Sequence, residues 1–180
     1  MYFLWVSPCM AVKGLTQTSE TIAIGFSFNE SAANTFTQDR IDLQLNPLDN
    51  EVFVVTAVNL DPSFPEAIAG VDTRIKATLT TTSRTSLANI GDSACLAQSL
   101  NQIQAAGFVD GGVFMQQSSM DAPPAILDYL GIIATNDFFV QVQGTGNTLA
   151  GGCNGKLYGY RAKASAATYA ALVQSEVLSS

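Results

Sequence analysis

A period-two alternation of apolar and polar residues is the feature that most limits the folds open to this chain. It is clearest in Thr21 to Phe28 (TIAIGFSF) and returns in Arg40 to Asn46 (RIDLQLN). Such alternation is typical of strands that bury one face. Val71 to Thr81 also alternates, and its charged and threonine face is expected to meet solvent or an interface. Pro47 to Asn50 (PLDN) supplies turn residues and predicts a hairpin after the second of these strands.

The segment Val52 to Leu60 (VFVVTAVNL) is apolar on both faces and rich in β-branched residues. This composition predicts a central strand that is covered on both sides. Asp61 to Pro65 (DPSFP) follows it. Proline lacks the N–H that a sheet ladder needs, so this segment is expected to end the strand and begin a loop.

The spacing of apolar residues changes between Asp92 and Gly107. Leu96, Leu100 and Ile103 recur at helical intervals, with a capping residue before them and a glycine after them. A cap, a helical period and a terminal glycine together predict a helix.

The second half of the chain contains further turn and strand patterns. Phe108 to Met115 has the turn sequence DGG and predicts a tight hairpin, and Pro124 to Leu130 predicts a short helical turn. Ile132 to Gln143 and Lys156 to Ala164 both predict strands. Gly144 to Gly155 joins them and contains five glycines, so it is expected to be a long, flexible connection.

The last segment, Ser165 to Leu178, is alanine-rich and predicts a C-terminal helix with Tyr169, Leu172, Val173 and Val177 on one face. Seven or eight strands with few helices indicate a mainly β protein, and 180 residues suit one domain. We therefore expect a single β-rich domain over residues 1–180. Its predicted architecture is an antiparallel β-sandwich or jelly-roll-like barrel with one or two short helices and the C-terminal helix.

Charge is scarce in this sequence. Charged residues make up 13% of the chain, against about 25% in typical soluble domains. Interface cores are depleted of charge in the same way, because desolvating an unpaired ion is costly. The net charge of −7 also opposes binding to phosphate backbones, so sequence-specific nucleic-acid binding is not expected.

The chain contains no histidine. This excludes Ser-His-Asp and Cys-His nucleophile systems and most zinc sites. The aspartates that stand beside turn residues are expected in turns or helix caps: Asp49, Asp61, Asp92, Asp110 and Asp121. We therefore predict no enzyme activity, no catalytic, cofactor-binding or metal-binding residue, no cofactor and no small-molecule substrate.

Two glycine-rich segments, Gly144 to Asn147 and Gly151 to Gly155, have the composition of phosphate-binding loops. A P-loop continues into a helix that its lysine and hydroxyl residue open. Here Lys156 begins a predicted strand instead. Backbone freedom is therefore the favoured explanation of these glycines.

Lys156 to Lys163 (KLYGYRAK) is the one basic and aromatic patch of the sequence. Strand alternation places Lys156 and both tyrosines on one face, and Arg161 and Lys163 on the other. The charges therefore form no continuous track for single-stranded nucleic acid. A strand that meets acidic neighbours is the favoured interpretation.

Cys9, Cys95 and Cys153 are widely spaced and odd in number, so buried free thiols are expected and no intrachain disulfide is needed for folding. The apolar run Tyr2 to Val6 is too short to span a membrane, and no longer apolar run follows it. No membrane span is predicted.

The strand-rich pattern, with Asn136 to Val142 (NDFFVQV) and Lys156 to Arg161 (KLYGYR) near its end, resembles small viral coat proteins of the single jelly-roll type. The resemblance covers the general pattern of most of the chain and carries no functional residue with it. It implies many identical copies enclosing a genome, in contact with one another and with other structural subunits through loops and strand edges. It also implies a place in the virion.

Two other classes of function stay open at this point. A cell-surface or filament subunit, extracellular in location, shares the same composition. A carbohydrate- or ligand-binding β-sandwich needs an exposed aromatic platform, for which Tyr158, Tyr160 and Trp5 are the candidates. An enzyme that works through carboxylates is the least favoured class.

Overall fold

The protein folds as two five-stranded antiparallel sheets that face each other, with one helix outside. The structure is a computed structural model that describes residues 14–105, 115–120 and 127–178, with only the backbone described for 115–120. Within these residues the elements are β1 (Leu15–Gln17), β2 (Ile22–Asn29), β3 (Thr37–Asp42), β4 (Glu51–Pro62), β5 (Thr73–Thr80), β6 (Cys95–Gln104), β7 (Met115–Met120), β8 (Gly131–Ile133), β9 (Asp137–Thr145), β10 (Gly152–Ala164) and α1 (Ala166–Leu178).

The order of the strands is that of a jelly roll. Sheet A contains β10 with β1 and β2 along one side and β4 along the other, and β8 completes it beyond β4. Sheet B has the order β3, β9, β5, β6, β7. The pairs β2–β10, β3–β9, β4–β8 and β5–β6 are nested, as in a chain folded double and wound into two facing sheets. The predicted β-sandwich is therefore confirmed, with a single C-terminal helix.

The main core lies between the sheets. Phe53, Val55 and Leu157 of sheet A are fully buried there together with Leu79 and Phe138 of sheet B. These inward residues occupy alternate strand positions, as the sequence pattern predicts.

The prediction that Val52 to Leu60 is covered on both sides is confirmed for the first half of β4 and wrong for the second half, where Asn59 is exposed. Val52 and Val54 contact the apolar face of α1, and Phe53 and Val55 lie in the main core. The predicted break at Asp61 to Pro65 is wrong in position, because β4 continues to Pro62. Pro62 lies opposite Cys153 of β10, but the next residue, Ser63, donates to the Gly152 carbonyl, so the nitrogen of Pro62 faces away from β10. On that other side β8 pairs only with residues 53–55, so no described strand there needs the N–H that proline lacks.

The predicted hairpin between Arg40 to Asn46 and the next strand is wrong. β3 ends at Asp42 and belongs to sheet B, whereas β4 belongs to sheet A. Asn46 does cap a 3-10 turn over Pro47–Asp49, so the local turn chemistry is as expected. The chain crosses between sheets because Leu43 and Leu45 donate their N–H groups to the backbone and side chain of Asn136.

The helix predicted after Asp92 is also wrong, because Cys95–Gln104 is a strand. Ser99, Asn101 and Ile103 alternate on its buried face. Two polar residues on that face hide the period-two pattern in the sequence. The Asn101 side chain donates to the Pro62 carbonyl, which makes its burial tolerable.

The polar face expected for Val71 to Thr81 is only partly exposed. Thr78 and Thr80 are fully buried, and both bond to the buried side chain of Gln141 on β9. Thr80 also donates to the Thr82 carbonyl. The connection between β5 and β6 therefore folds back over the outer face of sheet B and covers it.

The strand predicted over Ile132 to Gln143 is two strands, β8 and β9, in different sheets. The break at Ala134 to Asn136 is held by α1. The buried carboxylate of Glu176 accepts hydrogen bonds from Ala134 N and Thr135 N, both at 3.0 Å.

Two further predictions fall mainly outside the described residues. The hairpin over 108–115 lies outside them except for Met115, which begins β7. Of the helical turn expected over 124–130, only residues 127–130 are described, and they are not helical.

The C-terminal helix is confirmed. Tyr169, Leu172 and Val173 pack on the outer face of sheet A. Val177, predicted on the same face, is 62% exposed, and Glu176 is buried in its place. Docking of Glu176 on the β8–β9 connection sets the rotation of the last turn and directs Val177 outward. Within the described residues, α1 falls short of the length and apolar content of a membrane-crossing helix.

We expect an aspartate at Val54 or at Val55 to be strongly destabilising. Both side chains are fully buried, on opposite faces of β4, so either substitution buries a carboxylate with no partner at several kcal/mol. Urea unfolding measures the loss. Asn59→Asp, on the exposed part of the same strand, is the control and should keep nearly wild-type stability. Stability retained by Val54→Asp would show that α1 does not cover that face.

Stability should also depend on pH through Glu176. Burial raises the pKa of this carboxyl above 4.5, the nearby Asp137 raises it further, and the hydrogen bonds from residues 134 and 135 only partly oppose the shift. The folded state then holds a proton that the unfolded state releases, so this contribution is largest below pH 4.5 and is lost as the pH rises through the raised pKa. The unfolding free energy of wild type minus that of Glu176→Gln should fall over this range. A difference that rises with pH would contradict the assignment.

Candidate functional site

Three loops meet at one end of the sandwich and form what we call the loop end. They are the β2–β3 loop (residues 30–36), the β4–β5 loop (residues 63–72) and the β9–β10 loop (residues 146–151). Jelly-roll winding brings them together because these connections all leave their strands at the same end. Loops positioned by a rigid scaffold commonly carry function.

Glu30 holds the β9–β10 connection against β2. Its side chain is buried, and its two carboxylate oxygens accept from Gly144 N at 2.6 Å and Gly151 N at 2.7 Å. Its own N–H donates to the Gly151 carbonyl at 2.8 Å. The two amides at the ends of the glycine-rich connection are therefore bound by one carboxylate.

Asn147 links all three loops. It exchanges two hydrogen bonds with Asn34, from Asn34 Nδ2 to Asn147 O at 2.7 Å and from Asn147 N to Asn34 Oδ1 at 2.9 Å. Its side-chain oxygen accepts from Glu66 N, and its amide group donates to the Arg74 carbonyl. The Asn147 side chain thus acts as a buried bridge between loops distant in sequence.

Glu66 fixes the tip of the β9–β10 loop. Its carboxylate accepts from Leu149 N at 2.9 Å, from Thr148 Oγ1 at 2.8 Å and from Thr148 N. The hydrogen bond from Leu149, followed by those from Thr148, lowers the pKa of Glu66 below its ordinary value. The Glu66 carboxyl is therefore ionised down to a lower pH than an ordinary glutamate, and the ionised form accepts these hydrogen bonds.

The predicted long, flexible connection over Gly144 to Gly155 is wrong in extent. β9 continues to Thr145 and β10 begins at Gly152, so the loop itself is short. Gly146 has φ of +76°, and a Cβ there would lie 2.4 Å from the Asp72 carbonyl oxygen. This glycine permits close approach of the β4–β5 loop.

The fixed loops present apolar side chains to solvent. Phe64 is 62% exposed, Leu149 is 68% exposed and Val71 is 38% exposed. Single exposed apolar residues are common, but these three stand on loops that are hydrogen-bonded to one another. Holding exposed apolar groups on loops that are hydrogen-bonded to one another lowers the entropy cost of binding a partner, so the loop end is a candidate contact surface.

A shallow groove of about 570 Å³ crosses the uncovered half of the outer face of sheet A. Lys156 and Tyr158 of β10 lie in it beside Asn59 and Asp61 of β4. Asn154 also lines it and accepts a hydrogen bond from Ser27 on β2. The predicted aromatic platform is split, because Tyr160 packs in the cluster beneath α1 and Trp5 lies outside the described residues.

The basic patch divides between the two faces of β10 as expected. Arg161 lies 3.5 Å from a carboxylate oxygen of Glu51, and Lys163 lies 3.5 Å from one of Asp49. The prediction of a strand that meets acidic neighbours is therefore confirmed for these two residues. Within the described residues, Lys156 forms no ion pair.

The glycine segments do not form a phosphate cradle. Lys156 lies within β10, as expected from the sequence, rather than at the start of a helix. The amides of Gly144 and Gly151 are already bound to the carboxylate of Glu30, whose charge would repel phosphate.

The aspartates divide between turns and strands. Asp49 accepts from the Asn46 side chain in the 3-10 turn, and Asp92 accepts from Ala94 N, both as predicted. Asp61 is different, because it lies within β4 and lines the outer groove. Asp110 and Asp121 are outside the described residues.

Cys95 and Cys153 are free thiols, and Cys9 is outside the described residues. Burial raises the pKa of Cys153 to about 12 and also raises that of Cys95, so neither thiol is poised as a nucleophile. Among the described residues, no three carboxylate, thiol or imidazole side chains are grouped to hold a metal ion.

Sequence reasoning did not identify Glu30, Glu66 or Asn147 as organising residues. Their partners lie roughly 80 to 120 positions away, and most of the contacts are to backbone amides, which leave no residue pattern. The one local signal is a carboxylate directly after an alternating strand and directly before a loop, as in Glu30.

Comparisons with known proteins give no assignment: no protein-family model and no curated protein matches the chain.

We expect Glu30→Gln to loosen the loop end. A glutamine offers one acceptor oxygen where two amides need one each, and an unsatisfied buried N–H costs about 1–3 kcal/mol. Urea unfolding should show that loss, and the Gly144 and Gly151 amides should exchange with solvent faster. Glu20→Gln removes the same charge from an exposed side chain and is the control. Unchanged exchange in Glu30→Gln would contradict the role of this carboxylate.

Proposed function

We propose that this protein is a structural subunit of a virus coat, built from many copies that meet in part through the loop end. The observation that carries the proposal is the set of exposed apolar side chains on hydrogen-bonded loops, at Phe64, Val71 and Leu149. Such a surface is suited to a repeated protein contact. The working location would be the virion.

The jelly-roll winding supports this proposal in a limited way. The same winding occurs in coat proteins, lectins and cupins. It is therefore compatible with a coat function but does not distinguish that function from the others. Charge depletion adds weight to assembly, because a subunit with several neighbours must bury much of its surface. The neighbours of each subunit would be other copies of this chain and other structural subunits.

The outer groove favours one second candidate, a carbohydrate-binding module. Tyr158 offers an aromatic surface, and Asn59, Asp61 and Lys156 offer hydrogen-bonding groups around it. This arrangement suits a neutral saccharide, which the net charge of −7 would not repel. The groove is shallow, however, and of the three residues of the predicted aromatic platform only Tyr158 lines it, so assembly stays the favoured function.

Light scattering and electron microscopy over a range of protein and salt concentrations test the proposal. We expect assemblies of uniform size, promoted by salt that screens the net charge of −7. A double variant, Phe64→Ser with Leu149→Ser, should assemble less well because it removes apolar contact area. Leu48→Ser is the matched control, since Leu48 is 92% exposed but lies in the β3–β4 connection at the opposite end of the sandwich.

Each outcome separates the candidate functions. A strictly monomeric mass under all conditions would overturn the coat proposal. If the monomer also bound a saccharide and Tyr158→Ala abolished that binding, a carbohydrate-binding module would become the favoured function. Filaments in place of closed particles would favour the filament alternative.

A further inference from the structure

The outer edge of β2 is the most prominent unused bonding surface of the described residues. β2 pairs with β10 along one side, and no described strand pairs with its other side. An unpaired strand edge presents a row of free N–H and C=O groups that can pair with another chain.

The register shows which residues present these groups. Asn29 pairs with Gly152, and one residue further the Glu30 N–H donates to the Gly151 carbonyl. Hydrogen bonding alternates along an antiparallel ladder, so the even-numbered residues of β2 bond to β10. The odd-numbered residues, from Ala23 to Asn29, therefore direct their backbone groups to the free edge.

β2 lacks the features that usually protect such an edge. Its eight residues include no charged residue and no proline. Its inward side chains, among them Phe26 and Phe28, are only half-buried. β3, which borders sheet B on the same side, carries Asp39, Arg40 and Asp42 and is protected by them.

We propose that β2 pairs with β2 of a second copy of this chain, in antiparallel orientation about a twofold axis through Phe26. The pairing joins two sheets A into one continuous sheet. It rests on the proposed function only in requiring that copies of the chain associate.

The strand complements itself in this register. Gly25 faces Ser27 of the second copy, and Ala23 faces its Asn29, so every free N–H and C=O from Ala23 to Asn29 gains a partner. Phe26 lies opposite its own equivalent in a non-hydrogen-bonded pair, where side chains are closest. In a chain of net charge −7, an edge without carboxylates lets two copies meet without local repulsion. The same pairing of β3 would oppose charged side chains.

Ser27→Pro tests the pairing with little effect on the monomer. Its N–H faces the free edge, so proline there leaves the β10 ladder intact. Ser27→Ala is the matched control, because both variants lose the hydrogen bond from Ser27 Oγ to Asn154 and only proline loses the N–H. We expect sedimentation to show association weakened at least about tenfold in Ser27→Pro and nearly unchanged in Ser27→Ala.

A second pair of variants tests the pairing independently, in case the proline variant misfolds. A Cβ on Gly25 would meet no atom within 4 Å, so Gly25→Lys should fold, yet it places two lysines beside the twofold axis. Gly25→Lys should therefore weaken association, and Gly25→Ala should do so far less. Circular dichroism should show the same strand content in all four variants.

Amide hydrogen exchange gives a readout specific to the edge. In the associated protein the amides of Ala23, Gly25, Ser27 and Asn29 should be protected, and in the dilute monomer they should exchange much faster than those of the residues between them. Association that persists in Ser27→Pro and Gly25→Lys, with these amides unprotected, would overturn the β2 pairing and leave the coat proposal standing. A protein that never associates would overturn both.

Discussion

Sheet A depends on a single long strand, β10, which pairs with β1 and β2 along one side and with β4 along the other. Gly155 shows how closely these strands approach. A Cβ there would lie 2.4 Å from the ring of Phe26 and 2.7 Å from the Asn59 carbonyl oxygen, so a larger residue would push β2 or β4 away. Because β2 and β10 are the outermost nested pair, their contact closes the jelly-roll winding. The other edge of β2 pairs with no strand of the described residues.

Sequence periodicity predicts the strands whose two faces differ in polarity, and it fails where they do not. β2 follows its pattern closely, and the first half of β4 is buried as its composition indicates. The C-terminal helix follows its pattern except in the last turn, where Glu176 is buried in place of Val177. β6 fails because Ser99 and Asn101 face inward, so the apolar residues that remain imitate a helical period. The division of residues 132–143 between two sheets depends on Glu176, a residue too distant in sequence to leave a local signal.

The candidate site is harder to predict than the fold for the same reason. The loop end is built from a few carboxylates and amides that bind backbone N–H groups of other loops, and only the winding brings these groups together. In the sequence, the glycines of 144–155 indicate freedom of the backbone. In the structure, Glu30 and Glu66 remove that freedom with hydrogen bonds. Glycine content predicts the backbone freedom of an isolated segment, whereas hydrogen bonds from residues distant in sequence determine its conformation in the folded protein.

The loop end and the unpaired edge of β2 are connected through Glu30. β2 ends at Asn29, and Glu30 both extends its ladder to β10 and binds the β9–β10 loop. A partner strand on the β2 edge would therefore restrain the residue that fixes the loops, and fixed loops would in turn hold the end of the edge in place. The carboxylates of Glu30 and Glu66 accept hydrogen bonds from backbone N–H groups, and among the described residues neither forms an ion pair. In the proposed assembly, these two carboxylates would therefore need no cation from a neighbouring copy.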